Sequence, residues 1–75
     1  MQTAAETAVK LWNYLRRVEP ERREDCLVMA VELWQALARS KGQNPDAATQ
    51  ALVNELEAVA VEAWALEHPE VRVQA

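Results

Sequence analysis

The side chains best suited to chemistry in this chain are Cys26 and His68, each the only residue of its kind. A Cys–His pair does covalent chemistry when the imidazole deprotonates the thiol. Cys26 falls in the first turns of a predicted helix, where the helix dipole favours a thiolate. The same position belongs to an apolar stripe with Ala30, Leu33 and Leu37, so a buried, inert thiol is expected. His68 stands between Glu67 and Pro69 at a predicted helix end, where a partial cation caps the last carbonyls. Metal chemistry has little to work with. Glu21 and Asp25 share a helix face, but no Glu-x-x-His pair exists to build a di-iron bundle site. One glycine cannot form a Gly-rich phosphate loop. The expectation is a protein that is not an enzyme, with no cofactor and no metal.

Arg16, Arg17, Arg22 and Arg23 are the one basic cluster. They are interleaved with Glu19, Glu21, Glu24 and Asp25, which cancels most of the local field. A solvated turn with weak ion pairs is the plain reading; an electrostatic docking site for a charged partner is the functional one. Residues 1–41 carry a net charge of +1 and residues 42–75 one of −5. Ala38-x-x-x-Gly42 followed by a capped helix resembles the helix-turn-helix spacing over about twenty residues. That resemblance implies a dimeric, DNA-binding transcriptional regulator. Its recognition helix would present Asp46, Thr49, Gln50 and Asn54, with no Lys or Arg for phosphate or guanine. A net charge of −4 lacks the electrostatic footprint of such a role. Nucleic acid is therefore the alternative, not the expected partner. Ala30, Trp34, Ala36-Leu37 and Pro45 also resemble the order of positions in tetratricopeptide helices. Here the proline comes later than in that pattern, and the chain is too short for a stacked array.

The elements that carry these residues are predicted helices. Ala, Leu, Glu, Gln and Arg dominate. Thr3-Ala4-Ala5-Glu6 is a capping box that opens a helix at about Ala4 and runs it to about Val18, where Pro20 stops it. Pro20 suits the first position of a second helix, to about Ser40, with Glu21, Glu24 and Asp25 at its positive end and Gly42 as a left-handed stop. Asn44-Pro45-Asp46 opens a third, to about Glu67 before Pro69. Residues 69–75 form a tail, packed or frayed, whose alternation also permits a short strand. The short connection makes helices 2 and 3 an antiparallel hairpin.

Apolar patterning points to contact surfaces. Ala8-Val9-Lys10-Leu11-Trp12, Ala30-Val31-Glu32-Leu33-Trp34 and Ala60-Val61-Glu62-Ala63-Trp64 echo one another. The echo suggests three tryptophans in one cluster or along one groove, with Trp64 at a subunit or partner contact. Helix 2 carries two stripes, Cys26/Ala30/Leu33/Leu37 and Leu27/Val31/Trp34/Ala38, with Val28 and Met29 widening the arc; Asp25, Glu32, Gln35 and Arg39 mark its wet side. Such a helix is expected at the centre of the fold or against a second chain. Helix 3 carries Ala48/Leu52/Leu56/Val59/Ala63/Leu66 and Val53/Ala60/Trp64, enough for two neighbours.

At 75 residues and 51% apolar, with one cysteine and so no internal disulfide, the chain holds one small domain. A core of this size rarely contributes more than roughly 3–5 kcal/mol. The expected fold is all-α: a three-helix antiparallel bundle, or a helical hairpin plus an N-terminal helix, completed by homodimerisation. Helix 1 is either an arm outside a four-helix dimer core or part of a six-helix bundle. The expected role is a non-catalytic adaptor, inhibitor or regulator of the small bacterial or phage type; a structural subunit of a larger assembly is a further alternative. Its partners are itself and another protein, met through Leu33, Trp34, Leu37, Leu56, Ala60 and Trp64. No apolar run spans a bilayer and the N-terminal residues lack signal-peptide character, so cytoplasmic residence without membrane contact is expected.

Overall fold

The computed structural model describes residues 3–71. It contains three α-helices, α1 (Ala4–Arg17), α2 (Arg23–Ser40) and α3 (Pro45–Glu67), with single 3-10 turns at Pro20–Arg22 and Pro69–Val71. No strand occurs among the described residues. The strand reading of the tail concerns residues that lie, from 72 onward, outside them.

Each boundary has a local cause. At the start of α1 the Thr3 hydroxyl accepts from the Glu6 N–H at 3.1 Å, and the Glu6 carboxylate accepts from the Thr3 N–H at 3.0 Å. The backbone and hydroxyl bonds to Thr3 hold the Glu6 carboxyl below its ordinary pKa, because both favour the ionised form. Pro20 forces extended backbone before it, and Val18 has left the helix at ψ 157°. The Arg23 Nε–H then donates to the Leu15 carbonyl at 2.9 Å and satisfies one of the orphan acceptors of α1. The expected second helix therefore begins in two steps. Pro20–Arg22 closes a tighter turn, with the Arg22 N–H on the Glu19 carbonyl at 2.8 Å, and the α-helix proper starts at Arg23.

At the end of α2, Gly42 adopts φ +74°. Its N–H donates to Arg39 and the N–H of Gln43 to Ala38, the paired bonds of a Schellman stop. Asn44 then caps α3 through its side-chain oxygen, which accepts from Asp46 at 2.8 Å and Ala47 at 3.1 Å.

α2 and α3 form the expected antiparallel hairpin. It is pinned near the turn by Trp34 Nε1–H on the Ala48 carbonyl and Gln35 Nε2–H on the Thr49 hydroxyl, both 2.8 Å. The central helix, however, is α3 and not α2. α3 packs along both other helices, whereas α1 and α2 meet each other far less. The physical reason is its pair of stripes: Ala48, Leu52, Leu56, Val59 and Ala63 on one side and Val53 and Ala60 on the other are all at least half-buried. α1 is no arm, since Ala8, Leu11 and Leu15 are buried. On α2 only the Leu27/Val31/Trp34/Ala38 stripe turns inward. Gln35, expected on the wet side, is half-buried because its amide reaches Thr49.

The resulting core is thin. Among the described residues Ala8, Leu11, Leu15, Ala38 and Leu52 are its buried members, and only Leu52, at 1% exposure, is a large side chain fully out of water. The chain exposes 5876 Å², whereas a folded monomer of its mass exposes about 4,700 Å². Its radius of gyration is 14.0 Å, within an outline of 45 × 31 × 19 Å; a compact chain of this length has about 11 Å. The helices form a flat slab that leaves apolar surface outside.

Candidate interaction surface

The splay of α1 from α2 opens a groove of about 440 Å³. Thr7, Lys10, Leu11 and Tyr14 form the α1 wall, at i, i+3, i+4 and i+7. Ala30, Leu33, Trp34 and Leu37 form the α2 wall with the same spacing, Lys41 just past the helix end extends it, and Leu52 of α3 lies between the walls. This spacing places one face of each helix along the hollow. The lining is aliphatic and aromatic apart from Thr7 and two lysines, both in the half remote from the 18–22 turn.

On α2 the apolar surface continues past the groove. Met29 is 70% exposed and Leu33 64%. With half-buried Cys26 and Ala30 and exposed Ala36 and Leu37 they form one stripe along the helix. It is the first of the two stripes seen in the sequence, widened by Met29 and Ala36, and its Ala30, Leu33 and Leu37 line the groove.

The six residues expected at an interface divide between outside and inside. Leu33 and Leu37 stand outward on this stripe. Trp34 shows one edge of its ring to the groove while its N–H is held by Ala48. Leu56 and Ala60 are half-buried within the packing of α3. Trp64 is exposed and lies elsewhere. Its ring stacks on His68 with centroids 4.3 Å apart and planes 16° off parallel. The tryptophans thus go to three separate places, for Trp12 lines a different hollow with Leu15, Arg16, Arg23 and Glu67. The repeat in sequence comes from three amphipathic helices, not from a shared cluster.

His68 does what its position suggested. Its Nδ1 stands 2.9 Å from the Trp64 carbonyl, and a carbonyl only accepts, so the ring donates there. Its backbone N–H donates to Trp64 and Ala65 as well. In the basic cluster all four arginines are exposed, and Arg23 alone of them has its Nε–H on the Leu15 carbonyl. Cys26 is a free, half-buried thiol rather than a fully buried one. Of the residues that a recognition helix would present, Asp46, Gln50 and Asn54 are exposed. Thr49 is turned inward, donating to the Pro45 carbonyl and accepting from Gln35.

Met29 counted in the sequence only as widening the apolar arc of helix 2, and Tyr14 and Lys10 were not singled out. Their signal was present in the matching i, i+3, i+4, i+7 sets of helices 1 and 2. What the sequence lacked was the information that those two faces look at each other.

Among the described residues no three His, Cys, Asp or Glu side chains are grouped to hold a metal ion. No helix among them is long and apolar enough to cross a membrane. No family model, curated protein or solved structure matches the chain.

Proposed function

We propose that this chain is a non-catalytic protein–protein interaction module, an adaptor, inhibitor or regulator that works through apolar helix faces and forms a homodimer. The observation that carries the reading is the surface left uncovered. Among the described residues one large side chain is fully buried, while Met29, Leu33 and Leu37 stand outward on α2, the two leucines along the wall of an apolar groove. Contiguous apolar surface of this kind marks a contact site, and a helix is the natural shape to fill a groove walled by two helices.

A second apolar face supports the adaptor form. Val61 lies nine residues from Leu52, two and a half helical turns, so it points away from the groove. Exposed Val61 and the Trp64–His68 stack lie on that opposite side of α3. Two faces on opposite sides allow one chain to bridge two partners.

Leu33→Glu and Trp64→Ala test the two faces separately. Each is expected to keep the far-UV CD spectrum helical. Leu33→Glu should abolish self-association, and Trp64→Ala should reduce the proteins captured from native lysate. Unchanged solution mass together with unchanged capture in both variants would overturn the reading.

A further inference from the structure

We propose that the outer stripe of α2 is covered by the same stripe of a second copy, in an antiparallel pair whose two-fold axis passes beside Leu33. The proposal rests on the interaction-module reading above and names the occupant of that surface. Its ground is a symmetry in the stripe itself. Met29 and Leu37 stand four residues on either side of Leu33, and Ala30 and Ala36 stand three. Seven residues out come Cys26 and Ser40, both small. Read in either direction, the stripe runs small, large, Ala, Leu, Ala, large, small. A two-fold contact between antiparallel helices sets each residue level with the partner's residue equally far from the axis on the other side, so this palindrome puts large beside large and small beside small at every level. Large Met29 then stands level with the partner's Leu37, and Ala30 with the partner's Ala36, on either side of the central Leu33 pair.

Three further observations fit this occupant. Leu33 and Met29, the centre and one arm of the palindrome, are the most exposed apolar residues of α2. The whole chain exposes about 1,200 Å² more than a monomer of this mass, so a contact in which one partner contributes roughly 800 Å² fits within that excess, of which the α2 stripe is one part. Charges along the flank are also complementary. Asp25 and Arg39 lie on the polar side of the stripe, eight and six residues from Leu33 in opposite directions. The two-fold brings Asp25 to within about 3 Å, measured along the helix axis, of the partner's Arg39, and repeats the pair at the other end.

Disulfide trapping tests the register. Helices packed at about 8–10 Å leave facing Cα atoms about 4–5 Å apart, within reach of a disulfide. In a Cys26→Ser background, Leu33→Cys is expected to give a covalent dimer in high yield on mild oxidation. Met29→Cys with Leu37→Cys should do so as well, and covers the case in which a cysteine at the axis disturbs folding. The unaltered chain should not cross-link, because Cys26 stands fourteen residues, about 21 Å, from the partner's Cys26. Ala36→Cys in the same background should also fail, its partner's counterpart being about 9 Å along the axis. Failure of both expected traps overturns the proposal, as does equal trapping through Cys26 or Ala36→Cys. A dimer by mass that neither expected pair traps overturns this register and leaves the interaction-module reading standing. A monomer whose lysate capture is unmoved by Leu33→Glu and Trp64→Ala removes both.

Discussion

Leu52→Ala probes the thinness of the core. Leu52 is 1% exposed, lies at the groove between α1 and α2, and among the described residues is the one large side chain fully out of water. Shortening it to alanine deletes three buried carbons, about 2.4 kcal/mol at about 0.8 kcal/mol each. The hollow left behind raises the loss to about 3 kcal/mol, within the range measured for buried leucines. A single core of this size contributes roughly 3–5 kcal/mol, so the substitution removes most of it. Urea unfolding followed by far-UV CD at fixed protein concentration reads the effect. With a slope near 1 kcal/mol per molar, the midpoint falls by about 3 M. Leu66→Ala is the control, because Leu66 is 72% exposed and its loss should stay within about 0.5 kcal/mol. A Leu52→Ala cost below about 1 kcal/mol, or a Leu66→Ala cost of similar size, would refute the assignment of the core.

Three further substitutions separate backbone, hydrogen-bond and cap contributions. At Gly42, with φ +74°, an added Cβ meets nothing within 4 Å, so Gly42→Ala should cost only the left-handed strain, about 1–2 kcal/mol, and lower Tm by several degrees. Calorimetry showing no change would mean the Schellman stop does not hold α2. Trp34→Phe keeps the ring but removes the 2.8 Å bond to Ala48; a loss of about 1 kcal/mol is expected in urea, accompanied by loosening of the α2–α3 turn in hydrogen exchange. Glu6 has a lowered pKa when folded, caused first by its bond to the Thr3 N–H and then by the Thr3 hydroxyl. Its stabilisation is therefore complete above the ordinary carboxylate range and is lost as pH falls through the depressed folded value. Glu6→Gln, which removes the titrating carboxyl, should flatten that acid-side decline in Tm, and an unaltered pH profile would count against the capping box.

The ends of the helices were legible in the sequence because each depends on two or three neighbouring residues. Thr3 with Glu6, Gly42, and Asn44 with Pro45 act on backbone groups within one turn, so their types suffice to place α1, the stop of α2 and the start of α3. The split at Pro20–Arg22 was less visible, since the tighter turn depends on the Arg22 N–H reaching Glu19. Which helix takes the centre was not legible. Helices 2 and 3 both carry two apolar stripes, and only packing shows that α3 uses both while α2 keeps one outside. Gln35 and Thr49 illustrate the same limit: each reads as a surface residue, yet they satisfy each other between α2 and α3. The interaction surface was half legible. Leu33 and Leu37 followed from their stripe, but Tyr14 and Lys10 needed the knowledge that α1 and α2 share a groove. The repeated tryptophans suggested a cluster because their local settings match, and local settings do not encode which neighbour each ring meets.

The central claim is that one copy of this chain cannot cover its own apolar surface. Sedimentation equilibrium over a wide dilution range, on the unaltered chain and on Leu33→Glu, tests it most directly. The account predicts a particle of twice 8.5 kDa that dissociates on dilution, and a Leu33→Glu variant that stays helical at 8.5 kDa throughout. An unaltered chain that remains a helical 8.5 kDa particle at every concentration would contradict it.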